Sequence, residues 1–358
     1  MDKKKIVIGM SGGVDSSVAA YLLKKAGYEV AGVTMQTWGA KTQDEAERTP
    51  GIAEDAKRVA SALGISHEVV DFHEVFEKHV MDYFVREYLC GRTPNPCVVC
   101  NHYVKWEALL SYARSIGADG IATGHYARVH RLGNGRYTLR RAAGDKKDQT
   151  YALYQLSQEQ LSHTLMPVGN YTKDQIREIA DQIGLEVANK PDSQEICFIP
   201  DHDYASFIRR RTGILPEEGN FVDGEGTVLG RHKGIIHYTV GQRKGLGIAL
   251  GRPVFVKEIR PKTNEVVLAD NAEVFAPALT CNQLKFMGME NIEDGMEVFA
   301  KIRYNHQGAP CTLYKRGEDL VECRFREPQR AITPGQAVVF YREDYVLGGG
   351  TIVGAVSS

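Results

Sequence analysis

A short apolar run, Ile6-Val7-Ile8, passes directly into Gly9-Met10-Ser11-Gly12-Gly13-Val14-Asp15-Ser16-Ser17, and this junction limits the fold more than any other stretch. The pattern predicts a strand over Ile6–Met10, a glycine-serine turn, and then a helix. That helix has Val18, Ala19, Leu22, Leu23 and Ala26 on one face and stops at Gly27. A helix N-terminus fed by such a turn offers free N–H groups and a partial positive charge, which suit a phosphate or pyrophosphate. Gly12 and Gly13 permit a tight turn with no Cβ in a ligand's way, and Ser11, Ser16 and Ser17 add hydroxyls. Asp15 would repel phosphate unless it met Mg²⁺ or capped the helix. The Gly-Lys-Ser/Thr ending of the common P-loop is missing, so a Walker-type site is excluded. An ordinary strand-to-helix turn is the competing reading, and so many small or capping residues in one turn count against it.

Strand-like and helix-like segments keep alternating, the mark of a parallel α/β sheet. Strands are predicted over Val30–Met35, His67–Phe72 and Gly120–Thr123. Helices are predicted over Ala53–Leu63 and Val104–Ile116, and from a Thr172 cap through Ile176, Ile179, Ala180 and Ile183 to Gly184. The motif then sits at the carboxyl end of a parallel strand, where open α/β sheets bind ligands. We assign this α/β domain to residues 1–203. Glycine and charge dominate 204–272, read as a small central domain of short strands and loops. From 273 to 358 short segments rich in Val, Phe, Tyr and Ile recur: Val298–Tyr304, Cys311–Tyr314, Val321–Phe325, Ala337–Tyr341 and Thr351–Val356. They predict a small barrel or sandwich.

A formal net charge of −1 announces no nucleic acid, so any such contact must use local patches. The basic clusters are Arg140-Arg141, Arg209-Arg210-Arg211, Arg231-His232-Lys233 and Arg243-Lys244, each of which, taken singly, reads as solvated surface. No stretch approaches the about 20 apolar residues of a membrane span. Seven cysteines, an odd number, with no secretory signal, point to a reducing cytoplasm and not to a disulfide scaffold.

Two cysteine contexts stand out: Arg92-Thr93-Pro94-Asn95-Pro96-Cys97-Val98-Val99-Cys100-Asn101, and Asp192-Ser193-Gln194-Glu195-Ile196-Cys197-Phe198-Ile199-Pro200. The first reads as a proline-stiffened loop ahead of a helix starting near Val104, where a thiolate is stabilised. Cys97-X-X-Cys100 also reads as half a zinc site or a redox pair, though no second Cys-X-X-Cys or close histidine pair completes the former. Cys90, Cys281, Cys311 and Cys323 read as small buried hydrophobes.

The phosphate loop resembles that of the ATP pyrophosphatases. Together with both cysteine blocks it resembles the bacterial-type tRNA-specific 2-thiouridylases over essentially the whole chain. Thr123-Gly124-His125-Tyr126-Ala127, Lys147-Asp148-Gln149, the run from Gly234 to Gly245, Arg303-Tyr304 and Pro334-Gly335-Gln336 extend the likeness. The resemblance implies a pyrophosphatase-type α/β domain, a small central domain and a C-terminal β-barrel. It implies ATP, with Mg²⁺, bound by Gly9, Met10, Ser11, Gly12, Gly13, Val14, Asp15 and Ser16, with Met35 and Gly124 completing the pocket. It implies adenylation of uridine O2, a persulfide on Cys197, and Cys100 as its paired thiol, closing a transient disulfide. Asn95, Pro96 and Cys97 would approach a flipped target base, and Lys147, Asp148, Gln149, Arg303 and Tyr304 would contact tRNA. The implied partners are tRNA and a sulfur donor, either a persulfide-carrying relay protein or a cysteine desulfurase. One departure stands out: the family commonly carries Asp where this chain has Cys97, and Lys where it has His102, which makes Cys97 a competitor for the role of Cys100.

Two other classes carry the same loop: an adenylating enzyme acting on a small molecule, and a non-catalytic nucleotide- or RNA-binding protein. The paired thiols disfavour simple amidation, and the retained Asp15 and serines disfavour a dead enzyme.

Overall fold

The computed structural model describes residues 3–38, 50–144, 147–185 and 196–356. Strand β1 (Lys5–Gly9) leads into α1 (Val14–Lys25), then β2 (Glu29–Gln36), α2 (Pro50–Leu63), β3 (Ser66–Asp71), β4 (Gly120–Ala122) and, after a hairpin, β7 (Thr164–Leu165). These strands form a parallel sheet in the order β3-β2-β1-β4-β7. Helices cover both faces, so β1 is apolar from Ile6 to Ile8. Ile6 and Ile8 join α1's Val18, Ala19 and Leu23 in one core, while Val7 joins Leu109 and Ile121 in the other. Full burial of Val18 and Leu23 contributes about 1.5–3 kcal/mol each to docking α1. The strand order reverses between β1 and β4, and the crevice at that switch point is where such sheets take ligands.

The hairpin β5 (Ala127–Arg131) and β6 (Tyr137–Arg141) leaves this sheet. The central domain follows α4 (Tyr204–Thr212) and holds β8 (Gly219–Val222), β9 (Val228–His232), β10 (Phe255–Arg260) and β11 (Glu265–Ala269), ordered β10-β11-β8-β9. The last domain has β12 (Phe275–Phe286), β13 (Met296–Lys301), β14 (Ala309–Gly317), β15 (Leu320–Arg330), β16 (Ala337–Arg342) and β17 (Tyr345–Val356). Pairing of β12 with both β15 and β17 closes these six strands into a barrel, which removes the sandwich alternative. β17 also pairs with β6, so the N-terminal hairpin extends the barrel sheet.

Cys281, Cys311 and Cys323 lie in the barrel core with Leu279, Leu313 and Phe340, as expected of small hydrophobes. Cys90 does not: it follows the helix Asp82–Leu89 as its C-terminal cap and is exposed. The expected strand Val298–Tyr304 ends earlier, at Lys301, leaving Arg303 and Tyr304 in a turn.

Candidate active site

α1 starts at Val14 with Gly13 as N-cap, and no side chain caps it. Its first N–H groups therefore have no acceptor within the helix. Gly12 has φ +66°, and a Cβ there would lie 2.8 Å from the Ile52 carbonyl oxygen. The Ser11 N–H donates to Ser16 Oγ (3.2 Å), and the Ser16 and Ser17 hydroxyls donate to the Gly13 carbonyl (3.1 and 2.8 Å). The hydroxyls thus brace the loop with its own main chain. Val14 and Met10 are buried; the Met10 N–H donates to Val33 O (2.8 Å), and its carbonyl accepts from Thr34 Oγ1 (3.0 Å). Half-buried Met35 touches Gly9. Gly124, after β4, lies so close to α1 that a Cβ on it would be 2.7 Å from the Ser16 nitrogen. Gly9 to Ser16, Met35 and Gly124 thus gather at one crevice.

Asp15 neither caps the helix nor stands free. The Tyr126 hydroxyl donates to it at 2.6 Å, and Lys173 Nζ sits 2.8 Å from both carboxylate oxygens. Lys173 is largely buried and opens α3 (Lys173–Gln182), which a Thr172–Gln175 capping box starts where the sequence predicts it. The carboxylate's repulsion toward a polyphosphate is offset by this ammonium, a partner 158 residues away that no local pattern announces. Replacing Asp15 by Ala is expected to raise the KM for ATP more than about tenfold, and to cost about 1–3 kcal/mol by stranding Lys173. Pyrophosphate exchange against ATP and a urea titration measure the two effects; an unchanged ATP dependence would remove Asp15 from the site.

The first cysteine block is a loop only as far as Asn95; from Pro96 onward it is helical. Asn95 caps it, its Oδ1 accepting the Cys97 N–H at 3.2 Å, with Pro96 in the first turn. The helix runs Pro96–Val99, continues as a π-helix over Cys100–Ala108, and ends as an α-helix over Leu109–Ser115. It therefore begins eight residues before Val104, and π-turns of this kind concentrate at functional sites. Cys97 is exposed, Cys100 half-buried and Cys197 exposed, all as free thiols. Phe198 anchors Cys197 by packing edge-on against Phe76 and Phe84. Lys190 and Asp192 to Glu195 lie outside the described residues.

Burial pushes the Cys100 thiol up to about 12; negative charge on Cys197 or Cys97 acts the same way, while Lys105 pulls it down. Cys197 is raised by the protein crowded around it and then by Cys97, again opposed by Lys105. The three thiols and Lys105 share one neighbourhood. Alkylation of Cys100 by iodoacetamide is expected to climb about tenfold per pH unit between about pH 8 and 11, because only the thiolate reacts. Mass spectrometry of the Cys100 peptide reads this; a plateau by about pH 10 would mean an unperturbed thiol.

All three domains hold this helix. Arg92 makes a two-pronged ion pair with buried Glu87 (2.6 and 2.8 Å). The Thr93 N–H donates to Pro334 O (2.9 Å), and Gln336 Nε2 donates to the carbonyls of Thr93 and Pro94 (2.9 and 3.2 Å). Thr93 Oγ1 reaches Thr239 Oγ1 of the central domain at 3.3 Å. Gly335 (φ +89°) allows the approach, since a Cβ would lie 3.0 Å from the Arg92 Cβ. The Pro-Gly-Gln block therefore seats the segment leading to Asn95, Pro96 and Cys97.

Of the expected RNA contacts, Lys147 follows the hairpin. Asp148 accepts from the Ala142 N–H (3.2 Å) and the Thr150 hydroxyl (2.7 Å), and Gln149 Oε1 accepts from the Tyr126 N–H (2.8 Å). Arg303 Nη1 donates to Arg330 O at 3.0 Å. Tyr304 is 43% exposed, its ring edge-on to Tyr151 at 6.2 Å, and it feels the charges of Asp148 and Cys97. Its turn thus overhangs the thiol helix. Arg211, by contrast, is tied to Glu77 and Asp82 and serves the fold. No helix among the described residues is long and apolar enough to cross a membrane.

Three family models match the chain: a tRNA methyl transferase HUP domain over residues 4–201, a tRNA methyl transferase PRC-barrel domain over 206–270, and an aminomethyltransferase beta-barrel domain over 277–352. A tRNA-specific 2-thiouridylase MnmA of Lachnoclostridium phytofermentans is 62% identical over 355 residues, covering 98% of this chain and 99% of that one. The protein of the same name from Clostridium perfringens is 54% identical over 357 residues, with 98% and 99% coverage. Among solved structures, a 4-thiouridine synthetase–RNA complex with bound ATP aligns with TM-score 0.34 and 18% identity, over 55% of this chain and 45% of that chain.

Proposed function

The chain belongs to the family of tRNA-specific 2-thiouridylases, and on that premise we propose how this tRNA sulfurtransferase makes 2-thiouridine. ATP lies in the crevice between β1 and β4, its phosphates against the loop from Gly9 to Ser16 and the uncapped start of α1, with Met35 and Gly124 beside it. The absence of a cap on α1 and the close approach of Gly124 support this fit. Mg²⁺ would take Asp15 by displacing Lys173. ATP supplies the adenylyl group that turns a poor carbonyl leaving group into a good one: the wobble uridine's O2 takes the α-phosphate and pyrophosphate departs.

Sulfur arrives on Cys197 as a persulfide from a relay protein or a cysteine desulfurase. Its terminal sulfur attacks C2 and AMP leaves. The Cys100 thiolate then attacks the Cys197 Sγ, releasing 2-thiouridine and closing a Cys100–Cys197 disulfide, which a dithiol reductant reopens. Lys105 favours the thiolate form of both cysteines. Asn95, Pro96 and Cys97 face the flipped base, and Lys147, Asp148, Gln149, Arg303 and Tyr304 hold the RNA. Cys97, exposed one turn before Cys100, competes for the role of the second thiol and stands where the family resemblance leads one to expect a carboxylate.

The observation that carries this reading is the meeting of Cys97, Cys100, Cys197 and Lys105 from distant parts of the chain. Mass spectrometry of wobble nucleosides from cells lacking the protein tests it, with loss of 2-thiouridine expected. ATP–pyrophosphate exchange with and without bulk tRNA separates the alternatives. Exchange without RNA, stimulated by a metabolite, would favour a small-molecule enzyme. No ATP turnover with tRNA and a sulfide source would leave only a binding protein.

A further inference from the structure

Where the hairpin joins the barrel, two cations lie within reach of each other's charge, and among the described residues neither has an ion pair. Arg141, the last residue of β6, lays its guanidinium 4.7 Å from the centre of the Tyr341 ring, and its Nε is buried with no hydrogen-bond partner among the described residues. Lys301, the last residue of β13, holds its ammonium 5.9 Å from the centre of the Tyr151 ring and forms no ion pair among the described residues. The nearby carboxylate is Asp148, whose two oxygens already accept from the Ala142 N–H and the Thr150 hydroxyl. Two half-buried positive charges against one engaged carboxylate leave an excess of one. Such a pair costs free energy unless an anion arrives, and the low pKa of Lys301, set by burial and by Arg141, reflects that cost. Tyr304 lies beside the same carboxylate and beside Cys97, which connects the cations to the thiol helix.

We propose that Arg141 and Lys301 form a phosphate site that clamps a backbone phosphodiester of the RNA next to the nucleotide presented to the thiols. Their aromatic supports hold both cations in place, unlike a pair of free surface lysines. The site takes one charge and reads no base, so it sets where the RNA backbone lies relative to Cys97. It rests on the tRNA reading above and adds two residues to it.

The test is tRNA binding by fluorescence anisotropy over a salt series, for wild type, Lys301→Gln, Arg141→Gln and Lys301→Arg. Each glutamine variant is expected to weaken binding about threefold to tenfold and to lower the slope of log affinity against log salt by about 0.7–0.9, one phosphate contact. Lys301→Arg should keep the slope. ATP affinity, measured in parallel, should not move, which separates RNA phosphate from nucleotide phosphate as the ligand. Unchanged tRNA affinity and slope in both glutamine variants overturns the clamp while leaving the thiouridylase reading intact. A loss confined to ATP binding also overturns it. A wild-type protein that binds no tRNA sinks both.

Discussion

Cys197→Ser is expected to stop 2-thiouridine formation, lowering the rate by at least about 10³-fold, while tRNA binding and tRNA-dependent ATP–pyrophosphate exchange persist. Serine keeps the size of the side chain but cannot carry a sulfane sulfur at its tip. Cys197 is exposed, and its neighbour Phe198 does the packing, so the substitution leaves the aromatic cluster with Phe76 and Phe84 in place. Nucleoside analysis of tRNA incubated with ATP and a persulfide donor gives the yield, and radiolabelled pyrophosphate gives the exchange. Continued thiolation by the serine variant would disprove the persulfide role. Cys100→Ser and Cys97→Ser, run alongside, decide which thiol closes the disulfide, because the true partner is the one whose loss leaves the tRNA joined to Cys197 through an unbroken S–S bond.

Gly124→Ala should cut ATP–pyrophosphate exchange about 100-fold or more, although the residue carries no functional group. A Cβ at this position would lie 2.7 Å from the Ser16 nitrogen and 2.8 Å from the Asp15 carbonyl carbon. Both neighbours are main chain, so no side chain can swing aside. The start of α1 must move, and with it the amides on which the phosphates are read; shifts on the order of 1 Å cost about 10²-fold when positioning drives the reaction. Overpacking costs about 1–3 kcal/mol as well, so circular dichroism must show a folded variant. Gly133→Ala, with nothing within 4 Å of its Cβ, is the matched control. Exchange at the wild-type rate in Gly124→Ala would mean that ATP does not use this loop.

The sequence was most readable where one local rule governs. Alternating apolar runs located β1, β2, β3 and β4 within one or two residues, and the Thr172 cap located α3, because burial period and capping act over a few residues. The thiol helix was misjudged because two prolines read as a stiff loop. The signal that it starts at Pro96 was present, since asparagine followed by proline fits a cap and first turn. Cys90 was assigned to the interior from its apolar neighbours, yet it caps a helix end and faces solvent. The rest had no local signature. Lys173 meets Asp15, Gln336 meets Thr93, and Lys301 comes within reach of Arg141's charge only after strands and helices far apart in sequence have packed.

The hairpin from Ala127 to Arg141 belongs to one domain by descent along the chain and to another by its hydrogen bonds. That stitching fixes where the barrel sits against the segment that carries the hairpin. A barrel transplanted into a foreign host would arrive without its two borrowed strands, and the donor would keep a ribbon with no sheet to join.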